Sequence, residues 1–265
     1  MILCFSGTGN TRYAAGLLAE HLGQSVRVFT PDELRNPSNA SFESSDQIVV
    51  WAFPTYSWGI PPVVAEIMKH ARFGDGFRNA RHYMLTTCGD DVGLIERQWR
   101  RIFRRRGLDT AQAYAVEMPN TYTVMKGFDV DAPGVAKAKL DRAPETVALI
   151  AGAIKDGAPG DILIRKNFSW FKSVVIYPWF IRHAMSPRPF HANAGCTGCG
   201  ACARACPMAN IIMKETPDNG HSIPTWGDAC AGCLRCYHIC PRHAVRYGKS
   251  TDAKGQYICR KGLGE

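Results

Sequence analysis

Eight of the eleven cysteines stand in two copies of one motif, and this repeat constrains the fold more than any other feature of the sequence. In each copy, two residues lie between the first and second cysteines and two between the second and third. Three residues lie between the third and fourth cysteines, and a proline follows the fourth. The copies consist of Cys196, Cys199, Cys202, Cys206 and Pro207, and of Cys230, Cys233, Cys236, Cys240 and Pro241. Regular cysteine spacing of this kind is typical of a metal centre whose ligands set the path of the chain.

The spacing predicts two [4Fe–4S] clusters, because clusters of this type are held by cysteine thiolates in a run of this form. Three thiolates two residues apart can bind three irons of one cubane, after which the chain moves away and the next cysteine reaches the other cluster. The predicted ligands are Cys196, Cys199, Cys202 and Cys240 for one cluster, and Cys230, Cys233, Cys236 and Cys206 for the other.

Three other uses of these cysteines explain the pattern less well. Disulfides are rare in a cytosolic chain. Structural zinc usually uses pairs of cysteines two residues apart, and it does not call for a third cysteine or for the Cys-Pro that ends each copy. Free structural thiols would have no reason to repeat in register.

The residues from Gly195 to Val245 resemble the two-cluster bacterial ferredoxins. The connection between the two copies, Pro207 to Ala229, has 23 residues and is longer than in the compact members of that family. Within it Asp218-Asn219-Gly220 predicts a turn, so we expect a long hairpin between the two motifs.

Residues 1 to about 155 alternate short apolar runs with amphipathic ones. The apolar runs predict five buried strands, at Met1–Phe5, Val26–Phe29, Gln47–Phe53, His82–Thr87 and Ala111–Glu117. Helices are predicted at Thr11–Leu22, Pro62–Ala71, Val92–Arg106 and Pro133–Lys155. The core face of the third helix is formed by Val92, Ile95, Trp99, Ile102 and Phe103. Strands that alternate with helices predict an α/β fold with a parallel sheet covered on both faces.

The first predicted strand leads directly into a glycine-containing loop, Ser6-Gly7-Thr8-Gly9-Asn10-Thr11, which opens the first helix. Glycines permit a sharp turn, and hydroxyls with N–H groups at a helix start can surround a phosphate without any Lys or Arg. A P-loop would need Gly-Lys-Ser/Thr, and the dinucleotide fingerprint would need a small residue where Arg12 stands. The loop therefore predicts a phosphate site of another kind.

This loop resembles the FMN phosphate loop of the flavodoxins, which has the form Thr/Ser-x-Thr-Gly-x-Thr. Two later segments match in order. The loop that supplies an aromatic ring over the flavin is similar to Pro54-Thr55-Tyr56-Ser57-Trp58-Gly59. The loop at the pyrimidine edge of the flavin is similar to Thr86-Thr87-Cys88-Gly89-Asp90. The resemblance implies a doubly wound five-stranded sheet of order 2-1-3-4-5. It also implies FMN contacts at Ser6, Gly7, Thr8, Gly9, Asn10, Thr11, Pro54, Thr55, Tyr56, Ser57, Trp58, Gly59, Thr87, Cys88, Gly89 and Asp90.

Two positions depart from the flavodoxin pattern. No aromatic residue follows Asp90 before Trp99, so we expect one flavin face to be open or to be covered by Tyr122 or by residues 161–190. Ile60 stands where several flavodoxins carry an acid. Without that anion, we expect the flavin to take up its second electron more easily.

The chain divides into three predicted parts: a flavodoxin-like FMN-binding domain at 1–160, an aromatic- and proline-rich bridging segment at 161–190, and a small α+β two-cluster ferredoxin domain at 191–265. The net charge of +9 is split between +1 for 1–160 and +8 for the remainder. Each oxidised cluster and a flavin phosphate carry about −2, which leaves roughly +3 on the loaded protein. The basic excess is therefore a weak indication of nucleic-acid binding.

Several other residues attract attention. We expect Cys4 to be a core residue and Cys88 a flavin contact, whereas the sequence assigns no role to Cys259. His238 and His243 are expected at the surface, since the cysteines already fill each cluster. The arginines of the third helix predict either a solvated face or a docking surface for an acidic redox partner; they are Arg97, Arg100, Arg101, Arg104, Arg105 and Arg106.

The whole chain resembles ferredoxin–flavodoxin fusion proteins. The resemblance implies an electron-transfer protein that passes single electrons through two clusters to or from FMN, with a redox protein as its partner. The alternative is a ferredoxin-dependent flavin reductase that acts on a quinone, porphyrinogen or nitro compound. The missing second aromatic favours the enzyme, and the missing acid–base pair favours the carrier.

The expected cellular location depends on whether the sequence has a membrane-spanning segment or a signal peptide. A membrane-spanning helix needs about 20 apolar residues, and the apolar run Ser173 to Ile181 is less than half of that. The first residues have neither a basic region nor a long apolar region of the kind found in signal peptides. We therefore expect a cytoplasmic protein and, because such clusters are oxygen-labile, an anaerobic host.

Overall fold

The computed structural model describes residues 1–215 and 222–263. Five strands form one parallel sheet: β1 (Ile2–Cys4), β2 (Val26–Val28), β3 (Ile48–Pro54), β4 (Arg81–Cys88) and β5 (Thr110–Glu117). Their order across the sheet is 2-1-3-4-5. This is the doubly wound order of the flavodoxin-like α/β fold, so the predicted fold class is confirmed.

Four long helices cover the sheet: α1 (Asn10–Leu22), α2 (Pro62–His70), α3 (Ile95–Arg105) and α4 (Pro133–Lys155). Successive side chains of a strand point to opposite faces. In β3, Trp51 and Phe53 pack on the side of α2 and α3, whereas Val50 and Ala52 pack on the side of α1 and α4. Both faces of the sheet are therefore buried, as the apolar runs predict.

The start of α3 differs from the prediction by three residues. Gly93 has a positive φ of 58°, and the N–H of Leu94 donates to the Ser173 hydroxyl at 2.8 Å. The residues before Ile95 are thus held by the bridging segment, which explains why the helix begins there. The sequence did not predict five short elements near the α2 side: Pro31–Arg35, Pro37–Asn39, Ser41–Phe42, Arg72–Phe73 and Asp75–Asn79.

The bridging segment contains a helical stretch that the sequence pattern did not predict. We call it the bridging helix; it comprises Ser169–Phe171, a π-helical turn at Lys172–Ile176, and Tyr177–His183. The segment contacts both neighbours. On one side the Ser173 hydroxyl donates to the Trp58 carbonyl oxygen at 2.9 Å. On the other, the Tyr247 hydroxyl donates to the carbonyl oxygen of Ser186 at 2.9 Å.

The C-terminal part is a small α+β unit, as predicted. It contains β6 (Phe190–Ala192), α5 (Ala201–Ala205), β7 (Ile211–Glu215), β8 (Ser222–Trp226), α6 (Arg235–Ile239) and β9 (Val245–Tyr247). Strand β6 pairs with β9, and β7 pairs with β8, both in antiparallel fashion. The predicted turn Asp218-Asn219-Gly220 lies outside the described residues.

Buried His82 makes the stability of the α/β unit sensitive to acid. Its Nδ1 accepts a hydrogen bond from the indole N–H of Trp51 at 3.3 Å, and burial lowers the pKa of His82 to about 4. An unfolded histidine titrates near about 6.5, so the unfolded state takes up the proton first as the pH falls. The stabilisation is therefore complete above the unfolded pKa and decreases as the pH falls toward the folded one.

We expect the free energy of unfolding to drop by about 2 kcal/mol between about pH 7 and about pH 5 on account of this group. Urea unfolding followed by tryptophan fluorescence measures the drop. The variant His82→Phe, which has no titrating group, should show a shallower pH dependence. Equal pH dependence in the two proteins would contradict the assignment.

Candidate cofactor site

A cavity of about 620 Å³ lies at the carboxyl edge of the sheet, where the loops after β1, β3, β4 and β5 meet. Ligands of open α/β sheets bind at this edge. All but two of the sixteen predicted FMN contacts line it: Ser6, Gly7, Thr8, Asn10, Thr11, Pro54, Thr55, Tyr56, Ser57, Trp58, Thr87, Cys88, Gly89 and Asp90. Gly9 and Gly59 do not. The three predicted loops thus converge on one chamber.

Threonines connect the three loops. The hydroxyls of Thr11 and Thr87 lie 2.7 Å apart, and the N–H of Thr55 donates to the carbonyl oxygen of Thr87 at 2.8 Å. The hydroxyls of Thr55 and Thr86 are 3.0 Å apart. The loops after β1, β3 and β4 therefore form one hydrogen-bonded unit, which gives the cavity a preformed polar end.

The loop after β1 offers groups that suit a phosphate. The Ser6 hydroxyl is buried and has no hydrogen-bond partner within the described residues. Gly9 precedes α1 with a positive φ of 95°, and no side chain caps the first turn of the helix. The first N–H groups of a helix are unpaired and attract anions. A buried hydroxyl without a partner beside such a helix start fits a phosphate ester.

Asn10 has a structural part in this loop. Its side-chain N–H donates to the carbonyl oxygen of Pro119 at 2.8 Å, and its oxygen accepts from the Tyr257 hydroxyl at 3.2 Å. Asn10 therefore joins the loop after β1 to the loop after β5 and to the C-terminal segment.

The two glycines outside the cavity are explained by packing. A Cβ on Gly9 would overlap the carbonyl oxygen of Cys259, whose N–H donates to the Thr8 carbonyl oxygen at 2.8 Å. A Cβ on Gly59 would overlap the ring of Tyr177. Cys259, to which the sequence assigned no role, thus supports the phosphate loop from beneath.

The loop after β3 is a tight turn that brings two aromatic rings to the cavity. Tyr56 and Gly59 exchange two backbone hydrogen bonds of 2.9 and 3.0 Å, and Ser57 and Trp58 have positive φ values of 43° and 65°. Paired positive φ values define a type I′ turn. Lys172 lies over the Trp58 ring at 5.3 Å, and the Tyr56 hydroxyl is buried without a hydrogen-bond partner among the described residues.

The cavity wall extends beyond the predicted FMN contacts, and part of it comes from Tyr122 and from residues 161–190, the segments expected as possible covers of the flavin. The additional lining residues are Met118, Pro119, Asn120, Thr121, Tyr122, Met125, Phe128, Asp131, Lys139, Ile176, Trp179 and Phe180. Residues 118–122 follow β5, and the rule that ligands bind at the carboxyl ends of parallel strands gave a signal for them. The Tyr122 ring contacts Phe180 at 5.5 Å and Phe128 at 5.6 Å. Tyr122 and the bridging helix therefore both contribute to the apolar wall.

The acidic groups around the cavity are paired. Lys139 is buried and donates to Asp131 and to the carbonyl oxygen of Gly89, both at 2.7 Å. Burial opposes ionisation of Asp91, but hydrogen bonds led by that from Lys172 at 2.6 Å outweigh it and keep the pKa of Asp91 below its usual value. Because these carboxylates are compensated, the cavity can accept an anionic ligand.

Ile60, which stands where several flavodoxins carry an acid, is a core residue. It is buried and does not line the cavity. Its N–H donates to the Gln98 side-chain oxygen at 3.1 Å, and its carbonyl oxygen accepts from the Tyr177 hydroxyl at 2.6 Å. The side chain brings no charge to the cavity, and easier uptake of the second electron by the flavin stays a prediction.

The motif cysteines fall into two groups in space. Cys202 interacts electrostatically with Cys196 and Cys240. The second group, whose thiols interact electrostatically with one another, contains Cys206, Cys230, Cys233 and Cys236. In each group the cysteine before the proline thus joins the other copy of the motif, as the predicted ligand sets require. Cys199 is the exposed member of the motifs.

The backbone repeats with the motif at an interval of 34 residues. Ala209 and His243 have nearly equal positive φ values of 46° and 47°. One residue later, the N–H of Asn210 donates to the Cys206 sulfur at 3.4 Å and that of Ala244 to the Cys240 sulfur at 3.2 Å. N–H donors of this kind favour an anionic sulfur. The two cysteine groups therefore each have a backbone N–H donor at the same place in the motif.

The buried thiols of these groups fit iron only as thiolates. Burial raises the pKa of Cys233 to about 12 and that of Cys202 to about 11. Iron must therefore displace their protons on binding. Within residues 1–215 and 222–263, no three His, Cys, Asp or Glu side chains are grouped to hold a single metal ion. A cubane instead distributes four thiolates over its irons.

The second cysteine group borders the cavity directly. Cys233, together with Gly232 and Leu234, lines the same chamber as the three loops. A Cβ on Gly7 would lie 2.9 Å from both the Cβ and the carbonyl oxygen of Cys233. The phosphate loop and a predicted cluster ligand are therefore in contact. The pKa of Tyr56 is raised, first by burial and then by the charge of Cys233. The Tyr56 hydroxyl therefore lies beside the second cysteine group.

His238 is not at the surface, contrary to expectation. It is buried, its Nε2 lies 2.8 Å from the carbonyl oxygen of Thr121, and its Nδ1 accepts from the N–H of Tyr257 at 3.2 Å. Burial lowers the pKa of His238 to about 4, so the ring is neutral at physiological pH. It joins the C-terminal unit to the loop after β5. His243 is half-buried, 2.9 Å from the Tyr237 hydroxyl.

Comparison with known families identifies the C-terminal unit. A family model described as a 4Fe-4S dicluster domain matches residues 195–247. No curated protein matches the chain. The chain therefore joins an α/β unit of flavodoxin-like strand order to a unit that matches a 4Fe-4S dicluster family model, in agreement with the resemblance to flavodoxin–ferredoxin fusions.

Solved structures match the N-terminal half at low identity. They include rubredoxin oxygen:oxidoreductase from the anaerobe Desulfovibrio gigas (17% identity, 57% of this chain and 35% of that chain, TM-score 0.31). The Trp repressor binding protein of Bacillus subtilis also matches, with 12% identity, 55% of this chain and 94% of that chain covered, and a TM-score of 0.32. A Streptococcus pneumoniae TIGR4 flavodoxin matches with 18% identity, 56% of this chain and 97% of that chain covered, and a TM-score of 0.30. The chain spans about a third of the length of the Desulfovibrio protein. The fold class itself rests on the strand order.

The packing of Gly59 against Tyr177 can be tested by adding one methyl group. We expect Gly59→Ala to lower the free energy of unfolding by about 1–3 kcal/mol, because the methyl group overlaps the ring. Gly16→Ala is the matched control, since nothing lies within 4 Å of a Cβ there and alanine favours a helix by roughly 0.5–1 kcal/mol. Urea unfolding curves measure both changes.

A double-mutant cycle identifies the cause. In a Tyr177→Ala background the penalty of Gly59→Ala should nearly vanish, because the overlapping ring is gone. An undiminished penalty would show that the methyl group is excluded for another reason.

Proposed function

We propose that this chain is an iron–sulfur flavoprotein that passes single electrons through two [4Fe–4S] clusters to or from FMN. The observation that carries the proposal is that Cys233 lines the same cavity as the three FMN-type loops. When bound, FMN exchanges one or two electrons and each cluster exchanges one, so the pair couples one-electron to two-electron chemistry.

Each loop has a role in holding the flavin. Residues 6–11 would bind the phosphate with N–H groups and the free Ser6 hydroxyl. Residues 54–59 would place Tyr56 or Trp58 against the ring, and residues 87–90 would meet its polar edge. The apolar wall around Tyr122 would exclude water from the remaining face.

The two cysteine groups have different access. Cys233 is buried beside the cavity, whereas Cys199 of the other group is exposed. We assign the group with Cys199 to exchange with an external redox protein, and the group with Cys233 to exchange with the flavin. The proposal keeps 1–160, 161–190 and 191–265 as the FMN domain, the bridge and the two-cluster domain.

Contacts between the units would hold the proposed flavin site and the proposed cluster site at a constant separation. Lys172 pairs with Asp91 at 2.6 Å, Tyr177 donates to Ile60, and His238 contacts Thr121. Tethering in one chain replaces a diffusional encounter by a high effective concentration. These contacts support internal electron transfer at a constant separation.

An acidic partner would find a basic surface on α3. Arg97, Arg101, Arg104 and Arg105 are exposed, and Arg97 lies 3.7 Å from the Glu96 carboxylate. Arg100 instead pairs with Asp161 at 2.6 Å, and Arg106 donates to the Ala71 carbonyl oxygen just after α2. Arg101, Arg104 and Arg105 are thus the ones that we assign to a partner.

We place the chain in the cytoplasm of an anaerobic host, because clusters of the proposed type are oxygen-labile. None of the helices in the described part of the chain combines the length and the apolar character needed to cross a bilayer.

A second function is favoured by the apolar wall. Met125, Phe128 and Trp179 extend the cavity lining beyond the predicted FMN contacts. Space beside the ring would admit a small apolar acceptor such as a quinone or nitro compound. The chain would then be a cluster-dependent flavin reductase.

Cofactor content tests the main proposal. Protein reconstituted anaerobically with iron, sulfide and FMN should contain about eight irons and one flavin, because two clusters have four irons each. Stepwise reduction with dithionite should change the flavin absorbance and the cluster EPR signals in one connected equilibrium. Clusters that reduce while protein-bound flavin stays oxidised would contradict internal transfer. Rapid reoxidation by an added quinone would favour the reductase.

Tyr56 provides a local test of the contact between the centres. Its unpartnered hydroxyl lies beside Cys233, so in the loaded protein it is placed to donate to a cluster sulfur and to favour the reduced cluster. We expect Tyr56→Phe to lower the potential of that cluster by about 20–60 mV, the equivalent of one net hydrogen bond of about 0.5–1.5 kcal/mol.

The control is Tyr114→Phe, which removes another buried hydroxyl without a hydrogen-bond partner among the described residues; it lies in the core on the opposite side of the sheet. It should leave both cluster potentials unchanged. EPR-monitored redox titration measures them. A shift confined to the flavin in Tyr56→Phe would assign the hydroxyl to the flavin instead.

A further inference from the structure

The bridging helix presents an apolar stripe to solvent. The large exposed side chains of the stripe, with their exposed fractions, are Phe168 (79%), Trp170 (61%), Phe171 (49%), Val174 (48%), Val175 (44%) and Trp179 (51%). Surface helices normally turn their polar side outward. Single exposed apolar residues are common, but a contiguous set of this kind marks an interaction surface.

The opposite side of the same helix is firmly attached to the protein. Ser173 and Phe180 are buried, and the Tyr177 hydroxyl donates to the Ile60 carbonyl oxygen at 2.6 Å. Burial raises the pKa of Tyr177 to about 12. The helix therefore cannot turn its apolar stripe inward without breaking these contacts, and the stripe is a constant feature of the surface.

The segment that contains the stripe carries charges of one sign. Between Asp161 and Glu215 the sequence has seven Lys and Arg and no Asp or Glu. The cations near its start, Arg165, Lys166 and Lys172, are paired with carboxylates of the α/β unit. Within the described ranges, neither Arg182 nor Arg188 forms an ion pair, and both are exposed just after the stripe. Uncompensated positive charge therefore borders the exposed aromatic rings.

We propose that the bridging helix docks on the surface of a bilayer that contains anionic phospholipid. Tryptophan and phenylalanine beside arginine is the composition of helices that lie in the lipid interface, where rings enter the acyl boundary and cations meet phosphate. The helix is too short to span a bilayer, which needs about 20 residues, so it would lie in the interface plane. This inference is independent of the proposed function.

Docking would bring the cofactor cavity next to the lipid. Ile176, Trp179 and Phe180 line the cavity, and Trp179 also belongs to the stripe. The bridging helix is thus a thin wall between the cavity and the docking surface. Apolar compounds dissolved in the bilayer would lie within one helix diameter of the chamber.

Vesicle co-sedimentation of the full chain tests the proposal. The vesicles contain phosphatidylglycerol and phosphatidylcholine, or phosphatidylcholine alone. We expect binding to the anionic vesicles, with a blue shift of tryptophan fluorescence, and at least tenfold weaker binding for Trp170→Gln/Phe171→Gln because two interfacial rings are lost. Arg182→Gln/Arg188→Gln should bind anionic vesicles about 25-fold more weakly, since each cation near such a surface contributes about fivefold.

Leu149→Gln is the matched control, because Leu149 is an equally exposed apolar residue (66%) on α4, away from the stripe. It should change the partition by less than twofold. Unchanged iron and flavin content and circular dichroism show that the variants are folded. If Trp170→Gln/Phe171→Gln loses its cofactors, the proposal is tested instead by vesicle binding of the arginine variant and by the fluorescence shift of the unmodified chain.

Three results would overturn the proposal. One is sedimentation of the unmodified chain with anionic vesicles no greater than without vesicles. Another is equal vesicle binding by the unmodified chain and the folded variants. The third is a dimer in size-exclusion chromatography that Trp170→Gln/Phe171→Gln converts to a monomer, which would assign the stripe to a second copy of the chain.

Discussion

The contact between Gly7 and Cys233 is the constraint on which the arrangement of the two halves depends. A side chain on Gly7 would meet the Cβ and carbonyl oxygen of Cys233 at 2.9 Å, so only glycine permits this approach. Its effect is to bring a phosphate-type loop and a cluster-type loop into one cavity wall. Neither half alone would have this property. The proposed function, in which a flavin and an iron centre exchange electrons, follows from that proximity.

The bridging helix maintains the contact. One side of it bonds to the α/β unit through Ser173 and Tyr177, and the residues that follow it reach the C-terminal unit through Ser186. Its other side is apolar and exposed. The helix therefore exposes apolar side chains and attaches through Ser173 and Tyr177, which is the reverse of the usual pattern of a polar outer and an apolar inner side. This is the physical reason why periodicity did not predict it, although its aromatic composition was evident.

Several details of the candidate site depend on contacts between distant segments. Gly9 and Gly59 belong to loops that the sequence located correctly, but both are glycine because Cys259 and Tyr177 occupy the space of a side chain. Ile60 follows a cavity loop and yet points into the core. His238 neighbours a cluster ligand and is buried against Thr121. Each of these details depends on a contact with a segment more than 100 residues away, which local sequence pattern does not encode.

The sequence by itself determined the order of strands and helices in the α/β unit, the three loops at one sheet edge and the division of the motif cysteines into two groups. These follow from local rules: apolar period, loop chemistry at strand ends and the geometry of cysteine spacing. Only the tertiary structure decided that Cys233 borders the cavity, that the loop after β5 and the bridging helix form its apolar wall, and that aromatic side chains face solvent. Those features depend on how distant segments pack, and packing is a property of the whole chain in space.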